Sequence, residues 1–320
     1  MQANRSLDRP SNDRLTDERI LVPLDGSPVA ESALAFAELI PARSIRLLLV
    51  EPDTMGPTLA SAPEVAAWRV ERAALAEAYL QRAGERLQRL GRQLETMFTF
   101  GDPATRIIEE AKHVDLVVMT THGRGTGGRA MFGSVADRVA RHAPTATMMV
   151  RGGARAIVPG PLTRLLVPLD GSPLAEGALP TATHLARNLR LPLHLVRVVD
   201  REPLVGLILA GVTAERPARL AEASAKEAQA YLDRWCARLA ERNLAVDCRL
   251  LSGSPAVALL DLLQPGDLVV MTTHGRTGVR RWLLGSVADK LVRAAPGPVL
   301  IVRAESGEAL EEAPSSAMPG

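Results

Sequence analysis

The chain has 320 residues, 47% of them hydrophobic and 23% charged, the balance of a globular protein with length enough for two domains. Net charge is +2, from 38 basic against 36 acidic side chains without a concentrated basic tract, and aromatics at 3% are too few for base-stacking platforms, which argues against a dedicated nucleic-acid binder. Two cysteines, Cys236 and Cys248, exclude a secreted disulfide framework, and no Cys/His cluster has zinc spacing, so both thiols are expected to be reduced and no metal site is expected.

Residues 1–17 are polar and mixed in charge, with no apolar h-region, and read as a disordered tail. ILVPL (20–24) is a short buried strand ended by Asp25-Gly26-Ser27-Pro28, where Ser27 is placed to cap a helix and Pro28 to open it. IRLLLV (45–50) is a second strand, and 63–91 a long Ala/Leu/Arg/Glu helix ending near Gly91. QLETMFTF (93–100) follows as a third strand, and Gly101-Asp102-Pro103 starts another helix. DLVVMTT (115–121) is a fourth strand, 133–143 a helix and ATMMVR (146–151) a fifth strand. A Gly/Pro-rich linker over 152–162 then leads into a second round of the same elements. PLVGLILAGVTA (203–214) is too short to cross a bilayer, and residues 304–320 read as a second disordered tail. These features predict a cytoplasmic protein.

The second round is a duplication. ILVPLDGSPVAE (20–31) returns as LLVPLDGSPLAE (165–176), and DLVVMTTHGRGTGGRAMFGSVADRV (115–139) as DLVVMTTHGRTGVRRWLLGSVADKL (267–291). The boundaries fall at 18–151 and 163–303. Continuous Val/Leu runs between helices indicate a parallel sheet covered on both faces, so each half is an α/β doubly wound domain.

Two motifs carry chemistry. Asp25 and Asp170 follow directly on the first strand of each half, at the carboxyl end where open parallel sheets bind ligands. Each could accept from a ribose hydroxyl or an amine, or could serve only its own turn. The loops HGRGTGGRAMFGS (122–134) and HGRTGVRRWLLGS (274–286) end in Gly-Ser at a helix start, where free amides and the positive dipole end suit phosphate; Arg124 and Arg276 add charge at the loop entrance. A capped surface loop would explain one copy, but the same spacing beside the same Asp-Gly-Ser turn twice favours a ligand. Gly123, Gly125 and Gly128 satisfy G-x-G-x-x-G, but the second copy lacks it and no P-loop occurs, so neither a dinucleotide fold nor a P-loop enzyme is expected. His122 and His274 could act as bases, but the preferred reading is a histidine hydrogen-bonded to loop backbone. Neither comes with the electrostatic clamps of phosphoryl transfer, so no catalytic residue is expected.

The ordered set VPLDGSP, GDPA (101–104) with GSPA (253–256), and THGR…GSVAD, occurring twice, resembles the universal stress protein family over most of the chain. The resemblance implies two five-stranded parallel sheets of order 3-2-1-4-5 in tandem, with the first and fourth strands side by side. In family members that bind a ligand there, it is ATP, with or without Mg. Laid on the family pattern G-x2-G-x9-G-[ST], Gly123 with Gly133-Ser134 and Gly275 with Gly285-Ser286 match, whereas Thr120 and Thr272 stand where the family has its leading Gly. By the same resemblance Asp25 and Asp170, with the neighbouring Pro23 and Pro168, contact the adenosine. Val50 and Val198 flank the base, and the amides of Ser134-Val135 and Ser286-Val287 hold phosphates.

The function expected is a nucleotide-sensing stress protein. Its rivals are a relative that binds no nucleotide and works through protein partners, which Thr120 and Thr272 favour, and a slow ATPase. The fifth strands, ATMMVR and PVLIVR (298–303), are apolar edges, so the halves are expected to dock through them as a pseudo-two-fold pair. The apolar 203–214 stretch has no equally apolar counterpart in the first half and is expected to pack at an interface, either between chains in an oligomer or over the first half, the alternative being a core-facing helical turn.

Overall fold

A computed structural model describes residues 19–53, 62–89, 91–122, 133–152, 156–200, 215–272 and 285–303. In the first half these form β1 (Arg19–Leu24), α1 (Pro28–Ala37), β2 (Ser44–Glu51), α2 (Ala62–Arg89), β3 (Gln93–Phe100), α3 (Pro103–Glu110), β4 (Leu116–Thr120), α4 (Ser134–His142) and β5 (Ala146–Val150). The second half gives β6 (Arg164–Pro168), α5 (Pro173–Glu176), α6 (Leu179–Leu189), β7 (Leu193–Val199), α7 (Glu215–Ala240), β8 (Val246–Ser252), α8 (Pro255–Leu262), β9 (Asp267–Thr272), α9 (Ser286–Ala294) and β10 (Val299–Val302). Both expected tails and the 203–214 stretch lie outside the described residues.

The strands form one sheet of order β3-β2-β1-β4-β5-β10-β9-β6-β7-β8. Each half has the order 3-2-1-4-5, and all pairings within a half are parallel. The central strands are buried on every residue, and apolar on most, because helices cover both faces: β4 and β9 are buried throughout. The two five-stranded sheets are therefore fused rather than separate.

The seam is β5 against β10, antiparallel, with Met149 opposite Val299 and Met148 opposite Leu300. It is reciprocal: Arg151 Nη1 donates to Ala294 O (3.0 Å) at the end of α9, and Arg303 Nη1 donates to Ala143 O (2.8 Å) just beyond α4. Each cation meets the negative end of the other half's helix, the self-complementary contact of a two-fold interface. Two apolar clusters, one on each face, run across the seam: Val118 with Leu300 on one, Met149 with Val299 on the other. The connecting segment is docked as well, since Ile157 is buried in the first cluster.

The turn after β1 shows why the motif is shaped as it is. Asp25 Oδ1 accepts from the Ser27 N–H (2.9 Å) and hydroxyl (2.5 Å), while Ser27 Oγ accepts from Ala30 N–H (3.2 Å). Gly26 has φ 79° and Gly171 φ 87°, values a side chain resists. Asp170, Ser172 and Ala175 repeat the bonds at 2.9, 2.6 and 3.2 Å.

One expectation is overturned. Cys236 and Cys248 are joined in a disulfide, their Cα atoms 6.3 Å apart, within the range a bridge can span. Counting cysteines could not show that the last turns of α7 lie against β8 and bring these two side chains together.

Candidate functional site

Three adjacent strands end side by side at the point where strand order reverses. Leu24 of β1 pairs with Leu49 of β2, and β4 runs on the other side, with Leu21 opposite Val117. Pro23, Asp25, Val50 and Thr120 therefore share one end of the sheet, the crevice in which doubly wound folds bind ligands. Pro168, Asp170, Val198 and Thr272 take the same positions in the second half, and strand register puts Val50 and Val198 in equivalent places. Val50 lies in the apolar cluster on one face of the sheet, and Val135, Val198 and Val287 pack against the same cluster, so the end of each second strand and the start of each last helix lie on one face.

The helix starts are uncapped by side chains. Gly133 is the N-cap of α4 and Gly285 of α9, and neither end has a side-chain acceptor. The first-turn amides, with the dipole behind them, suit an anion. Gly133 has φ −62°, so conformation does not demand glycine there. Closeness does: its N–H donates to Thr121 O (2.8 Å), and a Cβ would stand 3.0 Å from that oxygen. The uncapped amide end fits a phosphate group, while the glycine itself is required by the close approach of the Thr121 carbonyl. Gly123, Arg124, Gly275 and Arg276 lie outside the described residues, as does His274.

Thr120 is 6% exposed. Its hydroxyl donates to His122 O (2.6 Å), and its Cβ would lie 3.4 Å from a Cβ on Gly152, so it packs against the segment beyond β5. His122 Nδ1 is 2.8 Å from the Thr121 hydroxyl. Among the described residues no group of three or more His, Cys, Asp or Glu could hold a metal ion.

The strand ends also carry a pair that motif reading missed. Tyr231 of α7 donates to Glu176 Oε1 (2.8 Å), which also accepts from Trp235 Nε1 (3.2 Å). Burial first, then the Glu176 carboxylate, raise the Tyr231 hydroxyl above the ordinary phenol value, so it stays a donor. Tyr79 and Glu31 hold the same places in the first half. Burial first, then Glu31, raise Tyr79 too, but its hydroxyl makes no hydrogen bond of full geometry there. The signal was in the sequence: Ala-x-Ala-Tyr-Leu occurs at 76–80 and again at 228–232.

The family model described as the universal stress protein family matches residues 18–151 and again 161–303. The chain belongs to the universal stress protein family. A universal stress protein of Mycobacterium tuberculosis is 29% identical over 216 residues, covering 66% of this chain and 69% of that one. Another from the same organism is 26% identical over 312 residues, covering 90% and 96%. The crystal structure of a universal stress protein from Archaeoglobus fulgidus superposes with TM-score 0.66 at 19% identity, over 90% of this chain and 99% of that one, and so shares the fold. No helix among the described residues of this universal stress protein is long and apolar enough to cross a membrane.

Proposed function

We propose that this tandem universal stress protein binds ATP at the carboxyl end of each half-sheet and acts in stress response as a nucleotide sensor or regulator, not as a dedicated enzyme. The observation that carries the reading is the placement, twice in one chain and beyond the same ends of two adjacent parallel strands, of an Asp-Gly-Ser turn after the first strand and an uncapped Gly-Ser helix start after the fourth. Asp25 and Asp170 are assigned to the adenosine, Val50 and Val198 to the base. The Ser134-Val135 and Ser286-Val287 amides are assigned to the phosphates, with Mg, where present, carried by the nucleotide. Burial of the Thr120 side chain supports the reading, because its bulk is absorbed into packing.

Calorimetry on the purified chain, after mass spectrometry for co-purified nucleotide, tests it. Two equivalents of ATP per chain are expected. Gly133→Val and Gly285→Val should each remove one, and the double variant both, because a side chain at this close approach pushes the preceding backbone away from the helix start that would hold the anion. Asp25→Ala or Asp170→Ala should weaken one site by roughly 1–3 kcal/mol, the cost of a lost buried hydrogen bond. ATP binding that survives both valines in a chain of unchanged melting temperature would place the phosphates elsewhere.

A further inference from the structure

The second half carries a covalent link that the first half lacks. Cys248 on β8 stands opposite Leu195 as Thr96 on β3 stands opposite Leu47. On the helices, buried Ala76, Leu80 and Leu87 of α2 match Ala228, Leu232 and Leu239 of α7, which sets Gly84 in step with Cys236. Gly84 and Thr96 cannot bridge; Cys236 and Cys248 do. Both are half-buried, and β8 is the outermost strand of its half, so a small thiol can approach.

The bridge adjoins the residues that hold the Asp170 turn. Trp235, next to Cys236, donates to Glu176, and so does Tyr231 one helical turn earlier. Glu176 ends the helix whose cap, Ser172, is bonded to Asp170. Arg197 stacks its guanidinium 4.8 Å from the Tyr231 ring centroid, and its Nη2 would lie 3.1 Å from a Cβ on Gly171. In the first half, Leu49 stands where Arg197 does, and Ala83 where Trp235 does. The disulfide, the aromatic pair and the Asp-Gly-Ser turn thus form one contiguous set of contacts.

We propose that Cys236–Cys248 is a reversible redox modification site that sets the order of the Asp170 turn, so that the second half responds to thiol–disulfide balance and the first does not. The ligand at that turn rests on the reading above; the effect on the turn itself does not. The reductant is a dithiol. One of its thiolates attacks a sulfur of the bridge, the S–S bond breaks, and the released cysteine takes up a proton. The reductant's second thiol then displaces the other cysteine, leaving two thiols on the chain and a disulfide on the reductant; two electrons pass to the chain. Oxidised, the bridge pins the end of α7 to β8 and keeps Tyr231 and Trp235 on Glu176. Reduced, the end of α7 loses its covalent tie to β8, and the turn loosens.

The full chain would be equilibrated in dithiothreitol redox buffers, its thiols trapped by alkylation and counted by mass. Hydrogen exchange would then be followed over 25–31 and 170–176 without ligand. Reduction should expose two thiols reversibly and speed exchange over 170–176 by about threefold or more, with 25–31 unchanged. A Cys236→Ser/Cys248→Ser variant should match the reduced chain in any buffer. A bridge that resists dithiothreitol in the folded chain, or equal exchange over 170–176 in both states, overturns the proposal. With ATP present, one of two equivalents should weaken on reduction. Absence of ATP binding in either state would sink the nucleotide reading and leave the exchange result standing.

Discussion

At the amino ends of the strands the two halves meet the same electrostatic demand in different ways. In the first half, Arg19 and Asp115 face each other at 3.7 Å, 55% and 20% exposed. In the second, their counterparts Arg164 and Asp267 are 2.7 Å apart and nearly dry, 16% and 1% exposed, and Arg164 also donates to Leu262 O. Next to this pair the first half has Arg46 between Glu95 and Glu110 at 2.7 and 2.9 Å, a solvated cluster. The second half has His194, whose Nδ1 lies 3.2 Å from Asp247 Oδ2 without forming a hydrogen bond. The apolar register is common to both halves; the polar shell has diverged. Backbone pairing and core volume fix a fold that tolerates either solution, whereas the energy of each ion pair depends on how much water reaches it.

The sharpest way to break this comparison is to remove one carboxylate from each pair. Asp267→Ala leaves Arg164 buried and unpaired and should destabilise by about 3–5 kcal/mol, whereas Asp115→Ala should cost about 1 kcal/mol or less. Urea unfolding followed by circular dichroism checks both, and equal losses would mean that the burial difference has no energetic weight.

A smaller contrast is expected at the aromatic pair. Tyr231→Phe removes a hydrogen bond to a charged group and should cost about 1.5–3 kcal/mol. Tyr79→Phe removes a buried hydroxyl with no full hydrogen bond and should be neutral or slightly stabilising, read as a shift in melting temperature. The opposite order would show that Glu31 holds its tyrosine the more firmly.

The smallest effect concerns pH. Burial first, then Arg164, lower His194 below the ordinary imidazole value of about 6.5, while Asp247 pulls the other way. The unfolded chain therefore binds the proton more readily, so the stability contributed by neutral His194 is full above about pH 6.5 and is lost as pH falls toward the folded value. Melting temperature should drop over that range, and His194→Gln should flatten the drop. An unchanged slope in the variant would assign the pH dependence to other groups.

Much of the fold was legible because its signals are local. Val/Leu runs, the Ser27-Pro28 cap and the doubled motifs need no knowledge of distant contacts. The apolar fifth strands also pointed to the seam, since an unpaired edge seeks a partner. What stayed hidden depends on side chains brought together from afar. Cys236 and Cys248 read as separate thiols until α7 lay against β8. Tyr231 and Glu176 lie 55 residues apart with no motif joining them, although both recur in the duplicate. Thr120 stands where the family pattern has its leading Gly, but its side chain packs inward against Gly152. Single-residue chemistry can be read from a string, but orientation within a packed layer cannot.

Joining β5 to β10 within one chain has a consequence for what the molecule can become. Two identical subunits meeting across such an interface acquire every substitution in duplicate, and their pairing weakens on dilution. A covalent connection sets a fixed effective concentration, so the union holds at any protein level. It also frees each side to change alone. Arg197, Trp235 and the cysteine bridge occur on one side only, a lopsidedness that no symmetric homodimer could encode.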